Sequence, residues 1–392
     1  MELSILNLEN ECTGCGACVS ICSHQCLSLR PNSEGFYYPE YDDEKCIECG
    51  LCEKVCKAIH PEDNRPVTRD YIYIYRSREE STLEKSSSGG AFTSFALDVL
   101  NNKGIVFATR YNADTRRVEV ANTDNFPFDS FRKSKYVESY AGDSYKLIKE
   151  QLKKGRDVLF CGTPCQVAGL KKYLKTANVV DDNLITIDFV CHGVPSMLCL
   201  DKFLEFEESG KSKIIDVDFR YKDFSKKKVG WHNMVYCEYF DDGSKKLLKP
   251  WNLHYHYYYY LPFLENKNLR RSCYNCNQIL ESCADISIGD FWGIRKYKSI
   301  KDDNNGLSFV LFNNKKFEKT WLDRNSSDFI EKIPFYPNEK QYTARTHKTD
   351  FQERDSFYQS VNKHGYITTV RRLYLKRYIG DMVKKLLKKV VR

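Results

Sequence analysis

Apolar positions come in short bursts along the 392-residue chain, and the bursts switch between two periods. "DVLF" (157–160) is a continuous apolar run of strand length and predicts a short buried strand. In "QVAGLKKYL" (166–174), Val167, Leu170, Tyr173 and Leu174 recur at helical spacing. "LITIDFV" (184–190) predicts a second strand, and "CHGVPSMLCLDKFLEF" continues as a loop and a second helix. Strand, cysteine loop and helix thus occur twice in succession. If the strands are parallel, the crossover is right-handed and both loops leave the same sheet edge. That edge is where α/β proteins bind ligands. Upstream, "KSSSGGAFTSFALDVL" (85–100) is a Ser/Gly loop opening a helix with apolar Phe92, Phe95, Ala96, Val99 and Leu100. "DFRYKDFSKKKVGWHN" (218–233) predicts a strand, a basic loop and an aromatic return. At the end of the chain Ile379, Met382, Val383, Leu386, Leu387, Val390 and Val391 form one apolar helical face, with Lys384, Lys385, Lys388 and Lys389 opposite.

Charge narrows what such a chain does. The formal net charge is +8, and residues 371–392 hold nine Lys/Arg against one acid, Asp381, so the rest is balanced. A basic tail on a neutral body argues against a general nucleic-acid-binding face. The N-terminus lacks the basic and apolar regions of a signal peptide, and no apolar run nears the roughly 18 residues that span a bilayer. The expected compartment is the cytoplasm. There, seventeen cysteines point to metal rather than to disulfides.

The cysteines carry the strongest signal. "CTGCGACVSIC" (12–22) and "CIECGLCEKVC" (46–56) are each C-x2-C-x2-C-x3-C, an internal duplication. In two-cluster ferredoxins the fourth cysteine of each run ligates the other cluster. Cys12, Cys15, Cys18 and Cys56 are therefore expected on one 4Fe-4S cluster, and Cys46, Cys49, Cys52 and Cys22 on the other. Gly14, Gly16 and Gly50 suit tight loops whose N–H groups point at cluster sulfur. Structural zinc prefers two cysteine pairs separated by a longer loop. The proline that usually follows the fourth cysteine is replaced by Ser23 and Lys57, and Cys26 is surplus, expected to pack as a small hydrophobe. Two loop cysteines, Cys165 and Cys191, plus the C-x2-C pair Cys273 and Cys276 make a further set of four. A third cluster and buried packing are both open for them, Cys161 reads as packing, and Cys283 is an alternative fourth member.

Six motifs in order, "SSSGGAF" (86–92), "KY" (135–136), "GTPCQ" (162–166), "CHGVPS" (191–196), "CYNC" (273–276) and "ADISIGDFWG" (284–293), resemble the coenzyme F-420 hydrogenase/dehydrogenase beta-subunit family. The resemblance runs from about residue 75 to about residue 330, behind a fused two-cluster ferredoxin. It implies one FAD and one 4Fe-4S cluster held by Cys165, Cys191, Cys273 and Cys276, with Cys283 set aside. It raises Ser87, Ser88, Gly89 and Gly90 to FAD contacts, where a helix N-terminus and close backbone approach suit a pyrophosphate. "RKSKYVES" (132–139) supplies Lys133, Lys135 and Tyr136, which either cover the flavin with a cation and an aromatic or form an exposed basic turn, and Thr163 and Gln166 complete the expected cofactor set. His192, beside a cluster ligand, is a candidate proton relay near the flavin, or a hydrogen-bonding loop residue. Lys222, Lys226, Lys227, Lys228 and His232 are either a receiver for an acidic substrate or a solvated turn.

The fold expected is α+β and α/β. A ferredoxin-like domain (1–62) and a linker (63–78) precede a mixed α/β flavin and iron–sulfur domain, with an FAD-binding part (79–150) and a part carrying the third cluster (151–330). A C-terminal extension (331–392) ends in the basic amphipathic helix, which either docks on the body or lies on a membrane surface. The function expected is electron transfer between a ferredoxin-type donor, or reduced deazaflavin, and an organic substrate or coenzyme F-420. Surface-polysaccharide metabolism is one setting the resemblance suggests. The alternative is an electron-transfer subunit docking on a larger catalytic complex.

Overall fold

The computed structural model describes residues 3–61, 70–208, 212–224, 229–233, 235–248, 256–276, 282–292, 294, 297, 303–335 and 351–390. Residues 3–61 form a small N-terminal domain. Each cysteine run enters a short helix, Ala17–Ile21 or Leu51–Lys54, through a left-handed glycine, Gly16 (φ 81°) or Gly50 (φ 70°). Glycine takes that turn without the strain a Cβ would bring. Between the runs, β1 (Leu27–Pro31) and β2 (Tyr37–Tyr41) pair antiparallel, with Leu27 opposite Tyr41.

The larger domain is mixed α/β. Chain order supplies β3 (Tyr71–Arg76), β4 (Ile105–Asn112), β5 (Arg117–Asn122), β6 (Val158–Cys161), β7 (Leu184–Phe189), β8 (Ile214–Tyr221), β9 (Val235–Phe240), β10 (Lys245–Leu248), β11 (Ile286–Asp290), β12 (Ser308–Phe312) and β13 (Phe329–Pro334). Eight of them make one sheet in the order β13-β3-β12-β11-β7-β6-β4-β5, and β10-β9-β8 make a smaller one. The middle strands β11, β7, β6 and β4 run parallel, as the two cysteine loops require, while the flanks are antiparallel.

Continuous apolar strands need cover on both faces, and they have it. Val158 and Phe160 pack with Tyr145, Ile148, Val167 and Leu170, from the helices Ser144–Lys153 and Pro164–Thr176. Leu159 packs on the other side with Phe95, Ala96 and Val99 of the helix Ala91–Asn101 and with Trp321. Ala17 and Val55 of the N-terminal domain join the first of these clusters, so that domain docks directly on the two covering helices.

The linker expected over 63–78 does not last to its end. Tyr71–Arg76 reads "YIYIYR", and as β3 it pairs with β12 on one side and β13 on the other, with Ile72, Tyr73, Ile74 and Tyr75 buried. The C-terminal extension likewise gives residues 331–334 to the sheet, and the two expected parts, 79–150 and 151–330, share it. In the terminal helices, Phe351–His364 and Tyr366–Val390, Phe357, Tyr358, Tyr366, Val370 and Tyr374 pack on the body. Farther on, Ile379, Met382 and Val383 are 46%, 40% and 45% exposed. Among the described residues no helix is long and apolar enough to cross a membrane.

Candidate functional site

Three groups of thiols emerge from this architecture. In the N-terminal domain the charge of Cys12, then of Cys165 and Cys56, bears on Cys15, and that of Cys15, Cys12 and Cys56 on Cys18. Cys12, Cys15, Cys18 and Cys56 are thus neighbours. Burial pushes the Cys15 thiol up to about 12 and Cys18 well above its ordinary value. Such thiols are inert unless a metal deprotonates them on binding.

The second group lies nearer the surface: Cys49 is exposed, and its charge bears on Cys52. Cys26 is buried as expected, but it is more than filling. Its sulfur stands 3.2 Å from that of Cys22, and the charge of Cys46 also bears on it.

The third group is assembled across the sheet edge. Cys165 starts the helix after β6, Cys191 follows β7, and Cys273 and Cys276 belong to the turn around Arg271–Asn275. The charges of Cys273, Cys165 and Cys276 all bear on Cys191, whose thiol burial raises well above its ordinary value. A bridge between Pro195 and Leu269 ties the second loop to the third segment. Cys161 stays apart, packed beside the cluster around Leu159, and Cys283 faces Lys171 and Lys57 instead. Four half-buried cysteines of this kind suit an iron–sulfur centre. No three His, Cys, Asp or Glu side chains among the described residues are arranged to hold a single metal ion.

The first and third groups meet. The charge of Cys165 bears on Cys15, and a Cβ on Gly169 would stand 2.8 Å from the Cys15 sulfur. Glycine at 169 is what lets the cysteine loop lie against the helix Pro164–Thr176. From the other side Arg270 clamps the loop. It donates to the Cys12 carbonyl at 2.7 Å and the Tyr37 carbonyl at 2.9 Å, and pairs with buried Glu138 at 2.5 Å. Burial pushes Glu138 up to about 7 despite that guanidinium.

The serine loop lies across an aromatic wall from the third group. His192 sits edge-on to Phe263 at 4.8 Å, and Tyr136 packs on the same ring at 5.8 Å. Arg220 donates to the Tyr136 hydroxyl at 2.9 Å and the Ser87 carbonyl at 3.4 Å, and pairs with Asp290 at 2.7 Å. Lys222 donates to the carbonyls of Ser88 and Asn305, at 3.0 and 2.9 Å. Burial first, then the charges of Arg220 and Lys133, lower its pKa to about 7. Three cations therefore crowd a loop at a helix N-terminus, an environment that suits a pyrophosphate.

Other expected contacts have structural work of their own. A Cβ on Gly89 would stand 2.2 Å from the Tyr75 carbonyl oxygen and 2.7 Å from the Ser308 nitrogen. Strand backbone occupies the close approach expected there for a ligand. Gly90 (φ 91°) caps the helix Ala91–Asn101. The Ser87 hydroxyl accepts from the Ser134 N–H at 2.8 Å, and the Ser88 and Ser308 hydroxyls bond at 2.8 Å. Lys135 holds the carbonyls of Ser130 and Arg132, and burial lowers it to about 8. Thr163 and Gln166 form a capping box, and Gln166 also donates to Ser139. Lys226, Lys227 and Lys228 lie outside the described residues. Trp292, stacked on Trp231 at 4.6 Å with the Arg220 guanidinium 5.4 Å from its ring, borders the same cations. Neither tryptophan was singled out by sequence reasoning, although both sit in motifs that were.

Residues 155–337 match the family described as coenzyme F420 hydrogenase/dehydrogenase, the C terminus of its beta subunit, and residues 11–58 match the 4Fe-4S dicluster domain. The family read from the motifs is the family matched. A curated relative, the VorC subunit of the ketoisovalerate oxidoreductase of Methanothermobacter marburgensis, is 36% identical over 52 residues, 13% of this chain and 66% of that protein. A solved structure of the F420-reducing NiFe hydrogenase complex from Methanosarcina barkeri, derivatized with xenon, is 17% identical with a TM-score of 0.46, covering 76% of this chain and 94% of that one. The chain is thus related to iron–sulfur oxidoreductase subunits, with 4Fe-4S clusters in its N-terminal domain.

Proposed function

We propose that the chain is an iron–sulfur flavoprotein oxidoreductase with three 4Fe-4S clusters and one FAD. The observation that carries this reading is the meeting of Cys15 with Cys165, which sets the first thiol group against the third. When bound, the clusters pass single electrons and the flavin converts pairs of them into hydride equivalents. The exposed group around Cys49, beside Ile47 at 60% exposure, is the natural entrance for a ferredoxin-type donor. Arg220 and Lys222 hold the negative charge of the FAD diphosphate, Ser87 and Ser88 shape its loop, and His192 moves a proton from behind Phe263. The substrate is an organic acceptor or a deazaflavin such as coenzyme F-420, and surface-polysaccharide metabolism is one setting for it. Docking on a larger catalytic complex is the second reading. It is favoured by the same open face at Cys49 and by relatives that are subunits.

The test is anaerobic reconstitution with iron, sulfide and flavin counted, expecting about twelve irons per chain on the four-iron rule. Cys165→Ala should lose about four of them, and flavin reduction, while the spectrum of the N-terminal pair persists. A parent protein with only about eight irons removes the third cluster. Loss of all iron in the variant would give Cys165 a folding role.

A further inference from the structure

A cavity of about 540 Å³ opens where the N-terminal domain meets the sheet. It lies at the edge opposite the cysteine loops, since Ala284 and Asp285 in its wall immediately precede β11. Its lining is strongly basic, with Lys57, Lys171, Lys172 and Lys175 set against Asp181 and Asp285. Asp285 is already committed. It accepts from the Thr186 N–H and hydroxyl at 2.9 and 2.6 Å and from Asn314 at 3.1 Å, and Lys171 stands 3.5 Å away. Lys57 is different. Its ammonium nitrogen is buried and has no hydrogen-bond partner among the described residues, and it stands one residue after Cys56 and beside Cys283. Pro61, Ala168, Val179 and Ala284 give the cavity an apolar wall, and His60, Ser282, Asn313 and Asn314 add neutral polar groups.

We propose that this cavity binds a phosphate-bearing small molecule of mononucleotide size. Lys57, Lys171, Lys172 and Lys175 face the phosphate, and the apolar wall takes the organic part. Binding sites for small molecules span roughly 300–1,000 Å³, so the volume fits. Lysine ammonium groups bind phosphate as point charges, and a dianion answers several of them at once where a single carboxylate answers one. This site does not depend on the flavin reading, because it shares no residue with the serine loop.

Adenosine 5′-monophosphate is the probe, titrated calorimetrically into the reconstituted full chain, with adenosine and citrate in parallel. One saturable site is expected for the monophosphate, no detectable binding for adenosine, and at least tenfold weaker binding for citrate. Lys175→Gln, at an exposed position, and Lys171→Gln should each weaken monophosphate binding about tenfold while iron and flavin content stay unchanged. Lys57→Met should abolish it without lowering the unfolding midpoint. No binding, equal binding of adenosine, or citrate binding as tightly as the monophosphate would overturn the proposal. Unchanged affinity in the Lys171 and Lys175 variants would also overturn it, by moving the nucleotide to another site.

Discussion

Arg270 and Arg220 are both buried guanidinium groups with one carboxylate partner and an aromatic ring beside them, yet they hold different things. Arg270, with its guanidinium 4.1 Å from the Tyr38 ring, ties the first cysteine loop and β2 to the core. Its partner Glu138 is also buried, so the pair sits wholly inside a joint. Arg220 is paired with Asp290, which keeps 19% of its side chain exposed, and reaches the serine loop and the exposed tryptophan Trp292. A sealed pair locks domains together. A pair open on one side leaves positive charge for a ligand. The two arginines thus separate the joint between the first and third thiol groups from the loop that would hold the proposed flavin.

The largest effect should come from breaking the sealed pair. Arg270→Met leaves Glu138 buried without its partner, a loss of about 3–5 kcal/mol. The denaturant midpoint should fall clearly, with loss of iron from the N-terminal domain on gel filtration. Arg270→Met with Glu138→Leu should recover most of the midpoint, because an apolar pair of similar volume removes the stranded charge. A parent-like midpoint in the single variant would show the contact to be incidental.

Arg220→Met should cost less stability, about 2 kcal/mol, since Asp290 can turn to water. Its main effect should be on flavin, with retention after gel filtration down at least tenfold and iron unchanged. Equal flavin in parent and variant would place the cofactor elsewhere and leave Arg220 as a packing residue.

Lys222 sharpens the contrast through pH. Burial, Arg220 and Lys133 lower it to about 7, against opposing pulls from Asp290 and Asp218. A bound diphosphate raises the pKa again, so binding takes up a proton above pH 7. Flavin affinity should then be greatest below pH 7 and fall by up to about tenfold per unit above it, until the bound-state pKa is reached. Lys222→Met should bind more weakly and show a flat profile. A parent profile that rises with pH contradicts this role.

How much of this was legible in the sequence differed by the range of the interaction. The cysteine runs are local, and spacing alone indicates which thiols share a cluster. The third group was legible because "DVLF" and "LITIDFV" have strand patterns, and parallel pairing brings Cys165 to Cys191. Glu138 and Arg270 stand 132 residues apart, and no local pattern announces such a pair. In the sequence Gly89 reads as room for a ligand, because the strand backbone lying against it, at Tyr75 and Ser308, comes from segments that are distant along the chain. The signal at β3 was present, since the alternation in "YIYIYR" is strand-like, but neighbouring prolines and charges made it look like linker.

The smallest effect is expected where the chain leaves the body. Tyr374 still touches the core, with its hydroxyl on Glu265 at 3.0 Å, and Arg377 pairs with Glu265 at 2.5 Å. Beyond them Ile379, Met382 and Val383 have their apolar surface in water. Ending the chain at Thr369 would uncover Val370 and Tyr374, both buried, and would confuse unfolding with lost attachment. Ending it at Tyr378 removes only the outer part, so the unfolding midpoint should stay within about 0.5 kcal/mol of the parent. The missing segment holds Lys384, Lys385, Lys388, Lys389 and Arg392 against Asp381. On an anionic membrane each basic residue contributes about 1 kcal/mol near the surface. In sedimentation with vesicles, the full chain should therefore partition to anionic lipid at low salt and little to neutral lipid, and the shortened chain to neither. Equal partitioning of the two chains would end the membrane reading and leave the outer helix as an unattached extension of a docked one.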